Sequence, residues 1–169
     1  QNISDELGVE TSSSMNENFG HSVPDWPAFD DSVGALARLQ TRYKLVVLSN
    51  VDRVSFAASQ QRLGVEFDAV YTAQDIGSYK PSPENFRYLL EHLKSDLNAS
   101  SEHVLHVAQS LRHDHEPARA AGLANVWIGR QRLSQGGAWG ATLAFEEIPH
   151  VDYTFFSLAD FAEAVENDV

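Results

Sequence analysis

The sequence predicts an α/β fold: a three-layer sandwich in which a mainly parallel sheet lies between two layers of helices. Three observations predict it. Apolar runs of strand length alternate with single segments of helix length, and strands joined by one helix each cross over and run parallel. Residues 45–48 read Leu-Val-Val-Leu, a run suited to a strand covered on both faces. The next four residues, Ser49-Asn50-Val51-Asp52, are small and mostly polar, as a strand tip is where it leads into a helix.

In chain order, residues 1–30 read as an irregular or partly helical lead-in, interrupted by Ser12-Ser13-Ser14 and Pro24-Asp25-Trp26-Pro27. Asp30 or Asp31 caps a helix whose Val33, Leu36, Ala37 and Leu39 suit a face packed on a sheet. A strand over 44–48 comes next, then a helix over 54–63 that Gly64 stops. Residues 67–72 form a second strand. A long helix over 83–93 carries Pro83 in its first turn. Then come a third strand over 104–108, a helix over 115–121 closed by Gly122, and a fourth strand over 126–128. Gly136-Gly137-Ala138-Trp139-Gly140 reads as a flexible loop. Residues 153–156 form a short fifth strand, with Tyr153, Phe155 and Phe156 as core packing. Ser157 caps a last helix over 158–165.

Composition bounds the function. A chain of 169 residues that is 43% hydrophobic builds a real core and is most simply one domain. Its formal net charge of −12 argues against duplex DNA or an anionic membrane as partner. The absence of cysteine excludes disulfides and thiolate chemistry. No apolar run approaches the roughly 18 residues of a membrane span, and the start does not read as a signal peptide. A cytoplasmic home is the expectation. The sequons Asn2-Ile3-Ser4 and Asn98-Ala99-Ser100 are short enough to arise by chance.

Ligands of parallel sheets bind beyond the carboxyl ends of the strands, so the tips are where chemistry is sought. Ser49 and Asn50 end the first strand, Lys80 lies in the loop after the second, and Gln109 and Ser110 end the third. A hydroxyl or amide there, with the free N–H groups of the next helix, can hold an anionic oxygen; alone, it would equally serve as a helix cap. Lys80 sits in Gly77-Ser78-Tyr79-Lys80-Pro81-Ser82-Pro83, and the proline after it restricts its backbone and fixes its position. Asp114 lies beyond the third tip at the mouth of a helix, where an acid also caps. His103, His106, His113 and His115 read as satisfied strand and loop histidines rather than a metal cluster. Trp26 and Trp139 read as structural, with contact at a site mouth as the alternative. Arg130 and Arg132 either meet an anion or pair with acids.

Hydroxyl, lysine and acid in this order resemble the haloacid dehalogenase (HAD) superfamily, in its 2-haloacid dehalogenase-like (type II) branch. The resemblance runs from about Trp26 to the C-terminus. It is carried by LSNVDR with Ser49 and Asn50, IGSYKPSPENF with Lys80, and HVAQSLRHDHEPARAAGL with Asp114. It implies a Rossmann-like HAD core over residues 29–169, with 1–28 the remnant of a cap segment and its return linker. It also implies hydrolysis through an aspartyl ester that water then breaks. In that scheme Lys80 and Asp114 are catalytic: the lysine keeps the nucleophile ionised, and the acid orients the lysine or the water. Ser49, Asn50 and Ser110 hold a small anionic substrate, a carboxylate or a phosphate.

Two departures stand against the family pattern. Its nucleophile is an aspartate ending a first apolar strand, and no such strand precedes Asp30; Asp52 belongs to the second motif, and Asp5 has no strand before it. The N-terminal strand and most of the cap are therefore expected to be missing, and the chain alone inactive. A truncated piece, a strand supplied by another chain as in a homodimer, or a rearranged sheet would each account for this. The second departure is Gln109, which stands where the family's phosphatases carry a magnesium-binding acid, leaving Asp114 as the remaining candidate ligand. No cofactor is expected, and magnesium only for phosphatase-like chemistry. Phe86 also occupies a place where the dehalogenases often have a tyrosine. The rival readings are a magnesium-dependent HAD phosphatase and a non-catalytic HAD-fold binding or interaction protein.

Overall fold

The structure, a computed structural model, describes residues 8–137 and 148–167. Asp5, the first sequon and Trp139 lie outside the described residues.

The lead-in starts with a helix where serines suggested a break. The Ser12 hydroxyl accepts the Met15 N–H at 3.2 Å and so caps α1 (Ser13–Gly20), which buries none of its residues. A 3₁₀ turn, Val23–Asp25, leads on to α2 (Ser32–Leu39). Its inward face is Ser32, Ala35 and Leu39, whereas Val33 is 42% exposed, so the expected face is rotated by part of a turn. Asp31 occupies the N-cap position, but its carboxylate does not cap α2. It reaches across the molecule instead, accepting the N–H groups of Leu158 at 2.7 Å and Ala159 at 3.3 Å.

Strand β1 (Val46–Ser49) runs parallel to β2 (Ala69–Thr72), with Val46 opposite Ala69 and Ser49 opposite Thr72. Between them lies α3 (Arg53–Leu63), capped by Asp52 and ended by Gly64 at φ 67°, a left-handed turn that glycine adopts without a Cβ clash. After β2 the chain makes α4 (Ala73–Ile76), which the sequence pattern does not predict. Thr72 and Asp75 form a reciprocal capping box around it. Then α5 (Pro83–Leu97) runs four residues beyond the expected end, to Asn98 in the left-handed conformation.

The second piece of sheet holds β3 (Leu105–Ala108), β4 (Ala124–Ile128) and β5 (Tyr153–Phe155), all parallel. A π-helical turn, Leu111–His115, and α6 (Glu116–Ala120) connect β3 to β4. The last helix, α7 (Leu158–Asn167), comes after β5, and Ser157 accepts the Asp160 N–H at its start. Tyr153 is 61% exposed and is not core; Phe155 does pack inward.

Two apolar layers flank the strands. On one face Ala35 and Leu39 of α2 and Phe161 and Ala162 of α7 pack on Val126 and Ile128, joined by Leu45, Val107 and Phe155. On the other, Phe86, Leu89 and Leu93 of α5 and Ala118 of α6 pack with Tyr71, Val46 and Leu48. Residues from both sheet pieces thus share a layer, yet among the described residues no strand pairs β1 with β3. The expected doubly covered strand is accordingly only half-buried: every residue of β1 keeps some exposure, while Val126 and its neighbours in β4 are buried. The α/β architecture with parallel strands is the one the sequence predicts.

A lysine and an acid at the strand tips

All three predicted loops gather at the carboxyl end of β1 and β3. The Lys80 ammonium donates to the Leu48 carbonyl at 2.8 Å and to Asp114 Oδ1 at 2.5 Å. Both side chains of this ion pair are 10% exposed. Leu48 belongs to β1 and Asp114 to the turn after β3, so one side chain ties the two sheet pieces together.

The loop holding Lys80 is fixed by Asn50. The Asn50 carboxamide accepts the Lys80 N–H at 2.7 Å and donates to the Lys80 carbonyl at 3.0 Å. That amide thus fixes the lysine's own backbone, and one of its two N–H groups makes no hydrogen bond to a described residue. Further along, Asn85 donates to Ser78 and to the Ser82 carbonyl, each at 3.2 Å, closing the loop onto α5. The Ser49 hydroxyl makes no hydrogen bond to a described residue and stands free at the tip of β1. Ser110 caps the π-helical turn: its oxygen accepts the His113 N–H at 3.2 Å and lies 3.0 Å from His113 Nδ1.

Asp114 has a second partner that the sequence pattern assigns to structure alone. His106 Nε2 lies 3.1 Å from Asp114 Oδ1, the same oxygen that Lys80 contacts. The signal was present as a polar residue in an otherwise apolar strand, but only the π-helical turn brings residue 114 back over residue 106. Burial by itself pushes the Asp114 carboxyl up; the His106 hydrogen bond and the Lys80 charge together outweigh it and hold the carboxyl below its ordinary value of 3.8. His115, 1% exposed, sits behind with Nε2 3.0 Å from the Ala108 carbonyl, and burial lowers it below its ordinary 6.5. It is held neutral.

The remaining candidates are structural. Asp52 accepts the Ser55 N–H and hydroxyl at 2.9 and 2.6 Å and caps α3. Arg130 pairs with Asp31 at 2.9 Å and lies over the Phe29 ring. Arg132 lies over Phe156 and donates to Gln135. Trp26 donates to the Ser22 hydroxyl and is 54% exposed. For the magnesium that phosphatase-like chemistry would require, the described residues bring one carboxylate to the tips, Asp114, whose Oδ1 is already shared by an ammonium and an imidazole. One or two carboxylates with waters are the usual magnesium ligands, so further oxygens would have to come from outside these residues. No helix among the described residues is long and apolar enough to cross a membrane.

Comparison with known proteins bears on the family and the fold. A Bacillus subtilis (strain 168) protein named as a HAD-hydrolase, YfnB, is 29% identical over 111 residues, 64% of this chain and 44% of that protein. The chain thus spans under half the length of this curated relative. A magnesium-bound crystal structure of YfnB matches with a TM-score of 0.75 at 20% identity, over 95% of this chain and 67% of that one. The L-2-haloacid dehalogenase of Xanthobacter autotrophicus, with chloropropionic acid covalently bound, matches with a TM-score of 0.75 at 20% identity, over 98% of this chain and 71% of that one. A HAD phosphatase from Thermococcus onnurineus matches with a TM-score of 0.63 at 21% identity, over 96% of this chain and 68% of that one. The family model of the haloacid dehalogenase-like hydrolases matches residues 7–122, so the similarity begins well before Trp26, and the chain belongs to that hydrolase family.

Proposed function

We propose that this chain carries the lysine–acid half of a hydrolase site that acts on a small carboxylate through an aspartyl ester, in the manner of a 2-haloacid dehalogenase. The observation that carries this reading is the Lys80 ammonium, held at 2.8 Å from the Leu48 carbonyl on the open side of β1 and at 2.5 Å from Asp114. An ammonium has three protons, and two are used, so the third is free for a further anion.

The nucleophilic carboxylate comes from a strand outside the described residues that lies between β1 and β3, supplied by an upstream segment of a longer polypeptide or by a second chain. Its oxygen attacks the halogen-bearing carbon; the C–O bond forms as the carbon–halide bond breaks, and halide leaves with the bonding electrons. Water then attacks the ester carbonyl, releasing the hydroxy acid and a proton and restoring the carboxylate. Lys80 offsets charge on the attacking carboxylate, and the free Ser49 hydroxyl donates to the substrate carboxylate. Asp114 keeps the lysine in place. Gln109, an amide at the third strand tip, favours this over a magnesium-dependent phosphatase.

The test uses the product of the complete reading frame. Halide release from 2-chloropropionate, abolished by Lys80→Met, is expected. Phosphate release from p-nitrophenyl phosphate that depends on magnesium would replace this reading with the phosphatase. Neither activity would leave a binding protein built on the same fold.

A further inference from the structure

The Lys80 ammonium of this site stands between Asp114 and the carboxylate that is to react. We propose that His106 is the positioning residue that holds Asp114 Oδ1 against the Lys80 ammonium. The inference deepens the hydrolase reading above and rests on it.

The geometry sets up the problem and its answer. Asp114 is 7% exposed, and a buried carboxylate left without a partner is strongly destabilising. Lys80 is anchored independently of Asp114 by the Leu48 carbonyl and by the Asn50 clasp on its peptide. His106 Nε2 stands 3.1 Å from Asp114 Oδ1, and the ring makes no other hydrogen bond to a described residue. That ring is committed to the carboxylate alone.

The ring is also held in place. Phe86 of α5 meets it edge-on at 5.3 Å between centroids, and His115 meets it at 6.2 Å. Its side chain is 11% exposed. The titratable and charged groups facing it are Asp114 and His115 from the π-helical turn, and Lys80 through the shared oxygen; α5 offers only the Phe86 ring, and Asn125 of β4 turns to His115. A ring so enclosed keeps Nε2 aimed at Oδ1 at little entropic cost, so the proton on Nε2 serves as a standing donor.

The experiment reads the ring and the carboxylate directly, without activity. Long-range ¹H–¹⁵N spectra of the wild-type chain at pH 8 are expected to show His106 protonated at Nε2. The Asp114 carboxyl ¹³C titration is expected to move to higher pH in His106→Leu and to return toward wild type in His106→Gln, which keeps a donor near that position. A wild-type ring protonated only at Nδ1 overturns the proposal, and so does a folded His106→Leu variant with an unmoved Asp114 titration. Should that variant not fold, the wild-type tautomer alone decides. Failure of the hydrolase reading shows separately, in the halide and phosphate assays.

Discussion

Asn50 grips the peptide of Lys80 from both sides, accepting its N–H at 2.7 Å and donating to its carbonyl at 3.0 Å, across 30 positions of sequence. Replacing it by alanine strands two partly buried backbone groups. Asn50→Ala is expected to lower stability by about 1–3 kcal/mol, read from urea unfolding, because an orphaned donor costs its full desolvation. Faster amide exchange at Lys80 and its loop neighbours should accompany the loss.

The lysine and its acid behave as a unit. Lys80→Met leaves the Asp114 charge with His106 alone, and about 3–5 kcal/mol should be lost by the same measurement. Adding Asp114→Asn removes the stranded charge, and the double variant should regain most of that loss. Additive losses in the two single variants would contradict the pairing.

Acid should unfold the chain in two stages. His115 is held neutral, with its folded value below 6.5, so the unfolded chain takes up a proton first; stability present above about pH 6.5 falls as the pH drops below it, by up to about 1.4 kcal/mol per pH unit. Asp114 is held below 3.8, so its contribution stays whole above that value and is lost as pH falls through the lower folded value. Unfolding midpoints measured against pH should show both stages, and His115→Gln should remove only the upper one.

Asp31 joins the start of α2 to the start of α7. Its carboxylate is pushed up by burial but lowered further by Arg130 and by the N–H groups of Leu158 and Ala159, so it is ionised at neutral pH. Asp31→Ala is expected to cost about 1–2 kcal/mol, with hydrogen exchange accelerated in the first turn of α7.

The strands, most helices and the meeting of Lys80 with Asp114 were legible because each arises from local pattern: apolar runs, Gly64 and Gly122 as stops, small residues at strand tips. What local pattern hides is where a side chain goes once the chain has folded. Asp31 looks like a cap for the helix it precedes, yet its partners lie 99, 127 and 128 positions away. Tyr153 reads as core from its aromatic neighbours, but it stands 61% exposed on β5. His106 becomes part of the site only through a π-helical turn, a geometry with no composition signal. Helix α4 was readable in principle, since Thr72 and Asp75 have capping-box spacing, but a helix of four residues lies below what apolar periodicity detects.

The lack of pairing between β1 and β3 among the described residues has a consequence for the strand proposed to lie between them. An extended peptide admitted there would zip to neighbours on its left and right together, and a half-inserted one would satisfy neither rim. Completion should then be all-or-none, its midpoint set by whether the peptide arrives tethered or free, because a tether replaces bulk concentration by a local one of millimolar order.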